Sequence, residues 1–138
     1  VWHHLEPWDD AVVGLTRLAA RHVVGPLSNG GFAMLTRMAK RAGLPWDCII
    51  STELFRSFKP DPAAYLGGAA LLGLDPGRVA LVAAHSGDLR AASQAGLRTA
   101  YVPRPAEWGP DAPAPEAPDP SFDVVAPDFS SLAATLGC

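Results

Sequence analysis

Residues 78–102, "RVALVAAHSGDLRAASQAGLRTAYV", constrain the fold more than any other stretch of the chain. An all-apolar run passes without a linker into a helical pattern closed at Gly96, and a second β-rich run, "RTAYV", follows at once. An apolar run of that length reads as a strand buried on both faces, and two strands joined through a helix lie parallel.

The same alternation extends in both directions. "DDAVVGLTRLAAR" predicts a helix with an apolar stripe at positions 12, 15, 18 and 19 and an acidic start that suits the helix dipole. "HVVGPLSNGG" reads as a buried strand opening into a loop, with Pro26 assigned to the strand's end because it has no N–H for the ladder. "FAMLTRMAKRAG" predicts a helix with Leu35, Met38, Ala39 and Ala42 on one face, Lys40 and Arg41 in its last turn and a stop at Gly43. "CIIST" follows as a second strand. Asp61 is the expected N-cap of a helix with Pro62 at its first position, running to Gly73 despite Gly67 and Gly68. "FDVVAPDFSSLAATLGC" supplies a last short strand and helix. Eight of the fourteen prolines fall between Pro103 and Pro127, so residues 103–120 read as a stiff surface loop. The expected class is α/β: a Rossmann-like, doubly wound parallel sheet.

A chain of 138 residues with 49% hydrophobic and 18% charged residues has the composition of one globular domain. Its net charge of -3, with no basic block or zinc-finger spacing, gives no support to a nucleic-acid partner. No apolar run approaches the roughly 18 residues of a membrane span. Cys48 and Cys138 lie far apart and suggest no disulfide framework, so a reducing, cytoplasmic setting is expected. The opening "VWHHLEPWDD" has no start-like segment, and the expectation is a piece of something longer. His3, His4 and His22 show no paired metal spacing and read as structural; Trp2, Trp8, Trp46 and Trp108 read as packing anchors.

In open parallel sheets, ligands bind beyond the carboxyl ends of the strands. Ser28 and Asn29 fall there after the first strand, Lys59 in the loop before the third helix, and Asp88 after "VALVAA". Ser28 and Asn29 offer a hydroxyl, an amide and nearby backbone N–H groups to an anion, and Lys59 offers positive charge. Taken singly, each has a plainer reading: a helix cap for Ser28 and Asn29, a solvated lysine for Lys59, a helix-dipole charge for Asp88.

"PLSNGG", "FKPDPAAY" and "VALVAAHSGDLRAASQAGLRTAYVPRP" together resemble, in order, motifs of the haloacid dehalogenase superfamily, and of its type II 2-haloacid dehalogenases in particular. The resemblance runs from about Val1 to Arg104. It implies that Ser28 and Asn29 contact the substrate carboxylate or the departing halide. It implies that Lys59 steadies a nucleophilic aspartate, that Tyr65 stands at the active site, and that Asp88 positions or activates water. His85 falls where the better-known dehalogenases carry asparagine, and Ala83 where they carry serine; both positions touch water. The family's first motif, a strand ending in the nucleophilic aspartate, has no counterpart here, nor can the substrate-binding arginine be assigned. Residues 1–20 would then be the end of a cap region and its return helix, and residues 21–138 the C-terminal part of an incomplete core.

Most of the superfamily are magnesium phosphohydrolases with two carboxylates four residues apart in the fourth motif. Here that partner position is Ala84, which cannot ligate a hard cation. The resemblance therefore implies a cofactor-free, metal-independent hydrolase of short 2-haloacids acting through an aspartyl ester, with a homodimer plausible by analogy. A magnesium phosphatase and a non-catalytic scaffold stand as the alternatives.

Overall fold

The computed structural model describes residues 4–138. The expectations for Trp2 and His3 lie outside them. Helix α1 spans Ala11–Ala19 and strand β1 Leu27–Ser28; α2 (Phe32–Ala42) leads to β2 (Ile50–Ser51). After a 3-10 turn at Thr52–Phe55 come α3 (Pro62–Leu71), β3 (Ala80–Ala83), α4 (Ser86–Gln94) and β4 (Arg98–Tyr101). β5 (Val124–Val125) and α5 (Phe129–Thr135) close the chain. Every strand pair is parallel, as expected from strands joined through helices.

The strands form two separate sheets, β1-β2 and β3-β4-β5. β4 is central in the larger one, and its alternating side chains divide the core. Ala100 and Val102 pack with Leu15, Leu18 and Leu132 of α1 and α5. Leu97 and Tyr101 pack with Tyr65 of α3, and with Leu89 and Ala92 of α4. Period-two burial with helices on both faces is the doubly wound arrangement. α1 and α5 approach closely at Gly14, where a Cβ would stand 2.4 Å from that of Phe129.

Local signals hold at several helix ends. Asp61 accepts a hydrogen bond from the Ala63 N–H (2.8 Å) and Pro62 opens α3. α2 ends at Gly43, whose φ of 64° is left-handed and suits glycine. On α1 the buried positions are Ala11, Gly14, Leu15 and Leu18, so the expected stripe is rotated: Val12 and Ala19 are only half-buried.

Three expectations for the strands need correction. Pro26 precedes the paired residues of β1 rather than ending them; it contributes its carbonyl, which accepts from the Ile50 N–H (3.1 Å). The segment before β1 is not buried, since Val23 is exposed and Val24 half-buried. "RVALVAA" is not covered on both faces either: Ala80 is exposed, Leu81 buried, and Val82 and Ala83 half-buried. The cause is topological, because β1 and β3 are both edge strands. A largely apolar cleft of about 720 Å³ lies between them, walled by Val24, Leu27 and Ile50 on one side and Leu81, Val82 and Leu132 on the other.

The tryptophans also diverge. Trp46 packs against the core and Trp8 lies beneath Arg104, but Trp108 is 78% exposed on the proline-rich loop. His22 is likewise exposed.

Candidate active site

The side chains that converge at the strand ends are Lys59, Tyr65 and Asp88. Asp88 stands in the first turn of α4, where the helix dipole favours a negative charge. Lys59 Nζ donates to its Oδ2 at 2.6 Å and Tyr65 OH donates to its Oδ1 at 2.6 Å. Both carboxylate oxygens are thereby engaged. The ion pair is mostly buried, with side-chain exposures of 17% for Lys59 and 21% for Asp88, and Tyr65 is fully buried. Burial, and then the hydrogen bond to Asp88 and its charge, push the Tyr65 phenol well above its ordinary value. The plainer reading of Lys59, a solvated loop lysine, does not hold. Lys59 and Tyr65 both line the cleft between the sheets.

Asn29 fixes the loop that carries Lys59. Its Oδ1 accepts from the Lys59 N–H (2.8 Å) and its Nδ2 donates to the Lys59 carbonyl (3.1 Å). The opposite edge of the site is thus tied to the lysine through its backbone. Ser28 Oγ accepts from the Gly30 N–H (3.0 Å), which leaves its own proton free to donate. Neither residue caps α2; Glu53 does so from a distance, accepting from the Phe32 N–H at 2.7 Å.

His85 makes its side-chain hydrogen bonds away from this cluster. Its Nε2 meets both carboxylate oxygens of Glu107, at 2.8 and 3.1 Å. Two buried hydroxyls, Ser57 Oγ and Ser86 Oγ, have no partner among the described residues; each stands two residues before a member of the cluster. No group of three or more His, Cys, Asp or Glu side chains that could hold a metal ion occurs among the described residues. Nor is any helix there long and apolar enough to cross a membrane.

Sequence reasoning missed Glu53, Glu107, and the pair Arg104–Asp10. Arg104 donates to both oxygens of Asp10 (2.7 and 3.0 Å) and lies between the rings of Trp8 and Phe129. Each contact joins residues far apart in the chain, and no local pattern marks it.

The sequence and the fold have counterparts among known proteins. A model of the haloacid dehalogenase-like hydrolases matches residues 1–96. The (S)-2-haloacid dehalogenase of Xanthobacter autotrophicus is 34% identical over 106 residues, 75% of this chain and 41% of that enzyme. (S)-2-haloacid dehalogenase 4A of Burkholderia cepacia is 31% identical over 75% of this chain and 46% of its own. The stretches matched in sequence thus span less than half the length of these relatives. Among solved structures, a defluorinating L-2-haloacid dehalogenase superposes with a TM-score of 0.95 at 52% identity, covering 99% of this chain and 56% of that one. The Xanthobacter autotrophicus enzyme with chloropropionic acid covalently bound gives 0.84 at 28% identity, over 99% of this chain and 63% of that one. With the parallel α/β fold and the family match over most of its length, the chain belongs to the haloacid dehalogenase-like hydrolases.

Proposed function

We propose that this chain is the greater part of the core of a metal-independent 2-haloacid dehalogenase, completed by an upstream strand that seats in the cleft and carries the nucleophilic aspartate. The observation that carries this reading is the Lys59–Asp88–Tyr65 cluster at the wall of that cleft. An inserted strand would satisfy both open edges, β1 and β3, at once. Buried hydroxyls without partners at Ser57 and Ser86 agree with a site that a further segment completes. Residues 1–20 then return from a preceding cap region, through α1, to the core of residues 21–138.

In this reading the aspartate attacks the halogen-bearing carbon, the C–X bond breaks, and halide leaves with the electron pair. Lys59 holds the attacking carboxylate by charge, and Ser28 and Asn29 receive the substrate carboxylate or the halide. Water then hydrolyses the ester to a 2-hydroxy acid. Asp88, with Lys59 on one oxygen and Tyr65 on the other, is committed to organising the lysine rather than to binding a cation. That occupancy, together with the side chain at Ala84, favours dehalogenation over magnesium-dependent phosphate transfer.

The test is halide release by the full-length protein from (S)-2-chloropropionate, with fluoroacetate in the panel because one relative is a defluorinating enzyme. Release undiminished by EDTA is expected. Phosphate-ester hydrolysis that stops on chelation, with no halide release, would move the function to the phosphatases.

A further inference from the structure

We propose that Thr52 is a positioning residue for cleavage of the carbon–halogen bond: it holds the Asn29 amide so that the one N–H left free there meets the departing halide. This rests on the dehalogenase reading above and divides the two roles that reading gives to Ser28 and Asn29. β1 and β2 pair in parallel with Ser28 opposite Ser51, so the residues that follow, Asn29 and Thr52, leave the sheet side by side. Ser51 and Thr52 are fully buried, and both reach across to the loop after β1. Ser51 Oγ donates to the Gly30 carbonyl (2.8 Å), and Thr52 Oγ1 donates to Asn29 Oδ1 (3.3 Å).

The amide of Asn29 has a single orientation. A backbone N–H only donates and a carbonyl only accepts, so Oδ1 faces the Lys59 N–H and Nδ2 the Lys59 carbonyl. Oδ1 then accepts twice, from Lys59 and from Thr52, and one Nδ2 proton goes to Lys59. The second Nδ2 proton has no acceptor among the described residues. Asn29 is exposed, so that proton is open to a ligand. The buried Thr52 hydroxyl in turn has Asn29 Oδ1 as its acceptor, and breaking that contact would leave a buried polar group unpaired. A single fixed N–H suits an acceptor of one atom. The substrate carboxylate, with two oxygens, is left to Ser28, whose hydroxyl proton is free.

The placement also couples the two ends of the displacement. Lys59 steadies the attacking carboxylate, and Asn29 is bound to the backbone of that same residue, so attacker and leaving group are held by one unit. As the carboxylate oxygen bonds to carbon, the C–X bond breaks and the halide departs with its electron pair. The amide N–H stabilises the growing charge and keeps its proton. A halogen still bound to carbon is a poor acceptor and a halide ion a good one, so this hydrogen bond acts in the transition state and hardly at all in the bound substrate.

Single-turnover halide release by the full-length protein tests this through Thr52→Val, which keeps the branched shape and removes the donor. With (S)-2-chloropropionate the maximal rate of chloride release should fall about fivefold, the scale of one neutral hydrogen bond, with KM unchanged. Release from (S)-2-bromopropionate should fall less, because bromide accepts hydrogen bonds more weakly and leaves more readily. Hydrolysis of the ester should keep its rate. Thr52→Ser and Thr52→Ala differ by the hydroxyl alone, and the serine variant should release chloride about fivefold faster than the alanine variant; this comparison stands even if valine prevents folding. A raised KM with an unchanged maximal rate would put the N–H on the carboxylate and overturn the proposal. Equal losses for chloride and bromide, no loss, or serine and alanine variants that behave alike would overturn it too. No halide from the unaltered protein would be a different result, removing the dehalogenase reading itself.

Discussion

Asp10 stands at the start of α1 yet makes no side-chain cap there. Its oxygens instead accept from two Arg104 nitrogens and from the Phe129 N–H (2.8 Å), joining α1, the loop after β4 and α5. Burial opposes its ionisation most strongly, but the Arg104 hydrogen bond, the Phe129 N–H and the Arg104 charge outweigh it, and the carboxyl ends below its ordinary value. Removing one partner of so shielded a pair costs about 3 kcal/mol, which the urea midpoint of Arg104→Ala should show. A folded value below the unfolded one, about 3.9, means the contribution is complete above that pH and lost as pH falls through the folded value. Asp10→Asn should therefore be well below the unaltered protein in stability at pH 6, and the gap should close in acid; a constant gap would contradict the account. Tyr65 runs the other way. Its raised value means the phenol stays protonated beyond the ordinary range, so stability fully present below pH 10 falls as pH rises through the folded value. Tyr65→Phe should remove a charge-assisted hydrogen bond worth about 2 kcal/mol and abolish that alkaline loss, read by denaturant titration at pH 8 and 11.

At the scale of elements, capping and periodicity were legible because they depend on neighbours in sequence. Asp61, Pro62 and Gly43 act where the pattern puts them. Strand burial was not legible, because it depends on what lies across the sheet. "RVALVAA" has the composition of a central strand, yet β3 is an edge in this chain and Ala80 is exposed. The helices report on partners in the same way: α3 has little hydrophobic asymmetry in its sequence, but Tyr65 and Ala64 are fully buried. Packing between α1 and α5 supplies a direct test. At Gly14 a methyl would meet the Phe129 Cβ and backbone, neither of which can rotate away, so Gly14→Ala should destabilise by about 2 kcal/mol. A thermal midpoint equal to or above that of the unaltered protein would show that the two helices do not meet as described.

For the molecule as a whole, the candidate site was legible as an order of motifs along the chain, and its three-dimensional logic only in part. Lys59 and Asp88 could be placed at one sheet edge from the α/β pattern alone; that Asn29 grips the Lys59 backbone, and that Glu107 pairs with His85, could not. Both are contacts between loops, which carry no periodic signal. The split sheet makes a further prediction. In the 138-residue chain alone, amide exchange in residues 24–28 and 80–83 should be much faster than in β4, and in the full-length protein the three should become comparable. Equal protection in the short chain would mean that no strand belongs between them.

The central claim is covalent: an aspartate outside this chain, steadied by Lys59, attacks carbon and is released by water attacking its own carbonyl. A single turnover of full-length protein in ¹⁸O-water, with protein in excess over (S)-2-chloropropionate, reads it directly. The account predicts unlabelled 2-hydroxypropionate and one ¹⁸O in the side chain of an aspartate preceding Val1. Label in the first-turnover product, with none in the protein, would contradict it.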